Sequence, residues 1–418
     1  LKVLWFVNCA FPSVKEYLNL NPNYNGWWMV SLSEALILNS TISLEIVWVS
    51  EQIQQYSKFN DGKLTYYLIP KKLNIQSNSK LSKLLNLLFK QNYNLPLSSC
   101  VDLINKINPD IIHVHGTEEF YGLLNALIKK PFVISIQGLL GACYTKFWGK
   151  TSVLKRLFLM REFYIWIKMK KSLEIENEII KKNTHFIGRT DFDKSYVKQI
   201  NPGANYFSIH ETMRSEFYVN FWSYQKENLN NLFTTTTFLP YKGIDTLIRA
   251  VKILKQENFQ IKLRICGQIP ISGYGRYIYK LISKLGLNNS IELLGYLSAK
   301  EIVSELLRAN IFILPSFIEN SPNSLVESLL MGVPSIGPNT GGVPSFIIPE
   351  YNGLLFTPGN YSELATKIAQ LLNSPEFCIY LGSNARKMAL TRNNPQIISD
   401  RTLSLYQELI SRSKYTKQ

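Results

Sequence analysis

Two glutamates, Glu319 and Glu327, stand with seven residues between them in the segment 311–356, IFILPSFIENSPNSLVESLLMGVPSIGPNTGGVPSFIIPEYNGLLF. By itself that spacing is a weak signal; its meaning depends on the setting of the two acids. Lys242, followed by Gly243, stands at the head of a helical segment. His113 and His115 alternate along the apolar run DIIHVHG, which puts both rings on one side of a strand. A zinc site would need further ligands that the sequence does not offer nearby. Asp191-Phe192-Asp193 has the D-x-D form that can hold Mg²⁺ or Mn²⁺. Set in GRTDFDK it opens a helix, where acids suit the dipole, and no metal is expected there.

The segment carrying the glutamates has clear local punctuation. Ile311 to Leu314 form an apolar run that reads as a buried parallel strand, stopped by Pro315-Ser316. Ser321 is placed to cap a helix with Pro322 at its first position. That helix runs through Leu325, Val326, Leu329 and Leu330 and stops at Gly332, shortly before Pro334. Strand, loop and helix start make an anion-binding corner at the carboxyl edge of a sheet. On the helix Glu327 shares a face with Asn323 and Ser324, away from the stripe of Leu325 and Leu329, so it should look out along that edge. Alone, such a residue reads as an exposed acid on a surface helix. Its setting points further. Together with Gly332-Val333-Pro334, the run Thr340-Gly341-Gly342-Val343-Pro344, and Asn352-Gly353-Leu354-Leu355-Phe356, the segment resembles the E-x7-E signature of GT4-family retaining glycosyltransferases.

The resemblance implies an α/β protein of the GT-B fold, two Rossmann-like doubly wound domains facing across a cleft. It implies a nucleotide-sugar donor held mostly by the second domain, with Glu319 on sugar hydroxyls and Glu327 on the ribose. Asn320, Ser321, Asn323 and Ser324 would border the donor, and Lys242 would meet its diphosphate in place of a metal. Gly26 stands where the family has a glycine-rich loop between the first strand and first helix. His115 falls where similar sequences set a histidine against the transferred sugar, the other reading being a buried structural His. Gln137-Gly138 matches a position bordering the acceptor. His115, Lys242 and Glu319 are thus the expected catalytic residues, and no cofactor is expected.

Two departures stand out. Only Gly26 is left of the glycine-rich loop, and it is followed by Trp27 and Trp28, which either pack or wall the site. The family's arginine five residues before the lysine is here Thr237, so another base, Arg276 among the candidates, should help with the diphosphate. Retention by double displacement needs a carboxylate nucleophile under the anomeric carbon with its partner about 5 Å away. Two glutamates that bind different parts of the donor do not fit that pair. The family's same-face route, in which the leaving diphosphate takes the acceptor's proton, is the expectation.

Stepping from these residues to the elements that position them, the chain reads as two α/β series. LKVLWFV, SLEIVWVS, KLTYYLIP, DIIHVHG and PFVISIQG are strands of the first, alternating with helices at about 29–39, 79–90 and 101–107. The second runs from NLFTTTTF through helices at 244–257, 277–285 and 299–308. We expect domains at 1–208 and 232–392, a polar connection over 209–231, and a helical tail, 393–418, that crosses back to the first domain.

The 418 residues suffice for two full cores, and 46% hydrophobic with 18% charged residues excludes a disordered chain. The five cysteines are scattered, without C-x-x-C, which fits a reducing cytosol. Opening on LKVLWFV, the sequence reads as lacking a leader, and no apolar run is long enough to span a bilayer. A net charge of +16 favours acidic partners. No nucleic-acid-binding pattern accompanies it. The stretch 146–171 interleaves bases with aromatics and contains Glu162 as its only acid. Lys146, Trp148, Lys155, Arg156, Arg161, Trp166 and Lys168 are therefore candidates to lie on an anionic membrane. The competing reading is a helix packed on its domain with solvated lysines. The expected acceptor is a saccharide, lipid-linked at the inner face of a bacterial membrane during surface-polysaccharide assembly, or soluble. Two other classes compete. A GT-B sugar-nucleotide epimerase would act without an acceptor, and a non-catalytic nucleotide-sugar-binding relative would bind donor without turnover.

Overall fold

The structure is a computed structural model describing residues 1–21, 26–38, 41–71, 95–225 and 230–415. The helix expected at 79–90 lies outside the described residues. Among these, the first sheet contains β1 (Lys2–Val7), β2 (Ser43–Ser50), β3 (Ser57–Asn60), β4 (Thr65–Pro70), β5 (Ile111–His115), β6 (Phe132–Ser135), β7 (His185–Gly188) and β8 (Asn205–Ser208). Their order is β3-β4-β2-β1-β5-β6-β7-β8, parallel except for the β3–β4 pair. The second sheet contains β9 (Asn231–Thr235), β10 (Lys262–Cys266), β11 (Ile291–Gly295), β12 (Ile311–Ile313), β13 (Ser335–Pro338) and β14 (Leu354–Phe356), in the order β11-β10-β9-β12-β13-β14 and parallel throughout.

The helices of the first half are α1 (Pro12–Tyr17), α2 (Trp27–Ile37), α3 (Leu97–Ile107), α4 (Leu140–Lys146), α5 (Val153–Leu157), α6 (Met160–Lys182), α7 (Asp191–Ile200) and α8 (Glu216–Val219). Those that follow are α9 (Ile244–Gln256), α10 (Gly273–Lys284), α11 (Ala299–Arg308), α12 (Asn323–Met331), α13 (Tyr361–Leu372), α14 (Pro375–Arg392) and α15 (Pro395–Tyr415). Helix α10 starts four residues before the Tyr277 expected from the sequence. Ser272 and Gly273 begin it, and the glycine is accommodated at φ 58°.

Strand order decides where a ligand can lie. In each sheet the chain reverses its direction of travel once, between β1 and β5 and again between β9 and β12. At such a switch point the loops leaving neighbouring strands diverge and open a crevice at the carboxyl ends. The loop after β1 delivers Asn8, and the loop after β5 delivers Glu118. The loop after β9 delivers Lys242, and the loop after β12 delivers Glu319. The central strands are buried on both faces, which fixes these loops on a rigid base.

Three segments tie the halves together. The C-terminal half of α6 puts Ile179 and Ile180 into the first core, while Ile165, Trp166 and Met169 pack on the second. Phe147, Trp148 and Leu159, though earlier in sequence than β7, belong to the second core. Helix α15 returns to the first domain, packs against α2 and β5, and puts Leu405, Tyr406 and Leu409 beneath Trp5. Residues 209–231 do more than connect. Phe217 on α8 is fully buried in the second core, and Thr212 is buried as well.

Candidate functional site

The loops after β9 and β12 are joined before any side chain meets. The amide of Phe317 donates to the Tyr241 carbonyl at 2.7 Å. Gly243 adopts φ 64°, and a Cβ there would overlap the Pro315 carbonyl. Behind them, Gly342 donates its amide to the Glu319 carbonyl at 2.9 Å. A Cβ on Gly341 would strike that carbonyl, and one on Gly342 would strike the Asn320 carbonyl. The Gly-Gly pair thus lets the β13 loop press on the back of the glutamate loop.

On this frame Lys242 Nζ donates to Glu319 Oε1 at 2.6 Å, and Ser316 Oγ donates to the same oxygen at 2.7 Å. Burial works against the Lys242 charge, but the adjacent Glu319 carboxylate, its hydrogen bond and Tyr241 together outweigh it and hold the ammonium above its ordinary pKa. The lysine therefore stays charged across the physiological range.

The first domain supplies the opposite wall. Asn8 Nδ2 donates to Gln137 Oε1 at 3.0 Å, and the Gly138 amide donates to Glu118 Oε1 at 2.8 Å. The buried carboxylate of Glu176 accepts from the amides of Leu140 and Gly141 and from Thr117, anchoring the start of α4 and the loop that carries Gln137. Burial, with the neighbouring Glu176 adding to it, pushes the Glu118 carboxyl up to about 7 against the pull of its backbone hydrogen bonds. Between the walls is a cavity of about 280 Å³. Among its lining residues, five buried polar atoms have no partner: Asn8 Oδ1, Trp28 Nε1, Glu118 Oε2, Gln137 Nε2 and Asn323 Oδ1. Each such atom costs about 1–3 kcal/mol if left dry. Their convergence beside an ammonium describes a seat for a polar, hydroxyl-rich anion.

The other sequence candidates are placed as follows. Asn320 lines the cavity, but its amide is spent across the domain interface. Its Nδ2 donates to the Gln137 carbonyl and to Asp193, and its Oδ1 accepts from Thr190. Ser321 does not cap α12. Pro322 occupies the N-cap without a side-chain bond, and Ser321 Oγ turns to Glu211 at 2.9 Å. Ser324 is half-buried and lies outside the cavity wall. Glu327 does not look out along the edge. It is 7% exposed, and Arg214 donates to its Oε1 through Nε at 3.1 Å and Nη2 at 2.5 Å. Burial raises its pKa despite that guanidinium.

His115 is buried with no partner on either ring nitrogen, stacked on His113 at 4.0 Å and against Trp5 at 4.3 Å, and it is not part of the cavity wall. Burial and the neighbouring His113 hold its pKa well below the ordinary value. Gly26 starts α2 at φ 88°, but Trp28 is the residue of that turn that reaches the cavity. Arg276 is exposed on α10, away from it. Trp148 is buried in the second core, and Trp166, half-buried, packs against it. Lys146, Lys155, Arg161 and Lys168 are exposed, and Arg156 is half-buried with its guanidinium over the Trp148 ring.

The aspartates of the D-x-D do not converge. Asp193 is buried in a capping box with Thr190 and accepts from Asn320, while Asp191 is exposed. Among the described residues no group of three or more His, Cys, Asp or Glu side chains could hold a metal ion, and no helix is long and apolar enough to cross a membrane. Four participants went unnoticed in the sequence. Glu118 sits three residues beyond β5, a strand-end position that could have marked it. Arg189 follows β7, lines the cavity and is ion-paired with Glu211, which also lines it. Arg214 carries no local signal at all.

Residues 220–388 match the family described as glycosyl transferases group 1. Among similar proteins, the MMP alpha-(1->4)-mannosyltransferase of Mycolicibacterium hassiacum is 28% identical over 175 residues, 42% of each chain. The capsular polysaccharide biosynthesis glycosyltransferase CapM of Staphylococcus aureus is 25% identical over 176 residues, covering 41% of this chain and 44% of that one. The matches therefore span less than half the length of these relatives. Across the whole molecule, Anabaena Alr3699/HepE, solved in complex with UDP-glucose, superposes with a TM-score of 0.66 at 16% identity, over 96% of this chain and 99% of that one. The chain has the two-domain GT-B fold, and the part of it that carries both Lys242 and Glu319 is the part that resembles glycosyl transferases group 1.

Proposed function

We propose that the protein is a retaining glycosyltransferase that moves a sugar from a nucleotide diphosphate donor to a saccharide acceptor, lipid-linked at the cytoplasmic face of a membrane, in surface-polysaccharide assembly. The observation that carries this reading is the set of unpartnered polar atoms around the Lys242–Glu319 pair. A sugar can satisfy them through its hydroxyls while the ammonium neutralises the departing diphosphate without a divalent ion. Glu319 would accept from the sugar hydroxyls, and Glu327, fixed by Arg214, from the ribose. Arg189 supplies the second positive charge for which the sequence had suggested Arg276. The acceptor would enter over Gln137 and Gly138. His115 takes the role of a packing residue behind that wall.

Catalysis then rests on holding the reactants together and on fixed charge. On the same-face route the acceptor's oxygen bonds to the anomeric carbon as the bond to the diphosphate breaks, and the diphosphate oxygen takes the acceptor's proton. The relatives' printed activities and the UDP-glucose complex of the structural neighbour support the donor class. A nucleotide-sugar panel read by thermal shift tests it, since a cognate donor at a hundred times its Kd stabilises the fold by about 2.7 kcal/mol. Transfer should persist in EDTA. Loss of turnover in chelator, or a panel without any shift, would defeat the reading.

A further inference from the structure

A second cavity, of about 450 Å³, lies where α5 and α6 meet the start of α10. Phe158, Leu159, Met160 and Tyr277 form its apolar lining, and Lys155, Arg161, Arg276 and Lys280 stand around it with no acid among the lining residues. Among the described residues Lys155, Arg276 and Lys280 form no ion pair, and Lys155 lies over the Tyr277 ring at 5.0 Å. Arg161 is half engaged by Glu162 beneath. The rim is apolar: Phe158 is 84% exposed and Ile271 is 89% exposed. Leu154 and Met160 are exposed beside them. Large side chains held in water around a basic, greasy cavity need a partner that is itself apolar and negatively charged.

We infer that this cavity seats one anionic phospholipid of a bilayer, its phosphate among the four bases and part of an acyl chain against Phe158, Leu159, Met160 and Tyr277. The inference deepens the membrane-bound reading above and rests on it for its biological setting. It moves the contact from the aromatic face of one helix to a junction. Lys155 and Arg161 come from the stretch of the first half that packs on the second core, and Arg276 and Lys280 from α10 of the second domain, so a lipid in place pins that stretch to α10.

Flotation of the full chain on phosphatidylcholine vesicles with and without phosphatidylglycerol tests this without donor or acceptor, so its outcome is separable from that of the glycosyltransferase assay. Removing two charges by Arg276→Gln with Lys280→Gln should lower binding to the anionic vesicles about thirtyfold. The Tm of the variant without any ligand should stay close to that of the native chain, which shows that the variant is folded. Lys300→Gln with Lys387→Gln, an equal charge loss on α11 and α14, should leave flotation close to that of the native chain. Equal loss in both double variants would reduce the effect to bulk charge and overturn the site. Native flotation of the α10 variant would overturn it as well. So would release from the vesicles by inorganic phosphate alone, or a change of oligomeric state in the α10 variant without lipid, which would make a second copy the occupant.

Discussion

At the scale of single residues, charge states decide what the cleft can do. Lys242 is pinned in its charged form by Glu319, and replacing it by Met removes a preorganised charge from the leaving group. We expect kcat to fall by about 10²–10³, with the fold kept, because the pair is not fully dry at 21% and 11% side-chain exposure. Initial rates with the cognate donor check this, and a loss below tenfold would move the diphosphate elsewhere. Glu118 offers a pH signature. Its carboxyl is raised to about 7 in the folded chain against 4.5 in the unfolded one. The folded state therefore holds a proton that the unfolded state has lost between those values, and stability from this group is present below pH 4.5 and gone above pH 7. Glu118→Gln should gain stability relative to the native chain as pH rises from 5 to 8, read as the difference in Tm. His113 works in the opposite sense, since burial brings it down to about 3 from 6.5. The unfolded chain takes up that proton first, so acidification through pH 6.5 destabilises the fold.

At the scale of elements, the site depends on loops that press against each other at backbone distance. Gly342 illustrates it, because an added Cβ would meet the Asn320 carbonyl and the Thr190 methyl. Gly342→Ala should displace the 319–320 loop and cost about 1–3 kcal/mol. The Km for donor should rise more than kcat falls, because it is the seat that moves; denaturation midpoints together with steady-state kinetics would show both. The strand, loop and helix around Glu319 could be read from Ile311 to Gly332 because apolar run, proline and glycine each act within a few residues. The cap at Ser321 could not be read correctly. Its hydroxyl had a stronger partner, Glu211, supplied from 110 residues away. Periodicity also misplaced Glu327, for it reports which face of α12 avoids leucine, not what lies opposite that face. Arg214 lies opposite, on a segment whose sequence has no period.

At the scale of the whole molecule, α15 and α6 hold the two domains in one arrangement. Tyr406 of α15 accepts from Trp5 Nε1 at 3.0 Å and bonds His113 Nδ1 at 2.6 Å, all buried. Tyr406→Phe leaves both partners dry, and we expect a loss of about 1–3 kcal/mol in urea unfolding, with donor affinity unchanged if the first domain's crevice is held independently. The sequence by itself determined the local grammar of each sheet: which runs are buried strands and where a helix must stop. Those outcomes depend on residues close in the chain, whereas a shared role for Glu319 and Lys242 was implied only by the family resemblance. Only the tertiary structure decided which charges meet. Arg189 pairs with Glu211 and Arg214 with Glu327, Trp148 is buried in the second core with Trp166 packed against it, and His115 is buried against Trp5. Burial and pairing are set by what arrives from the far side of the cleft, and no window of sequence contains that.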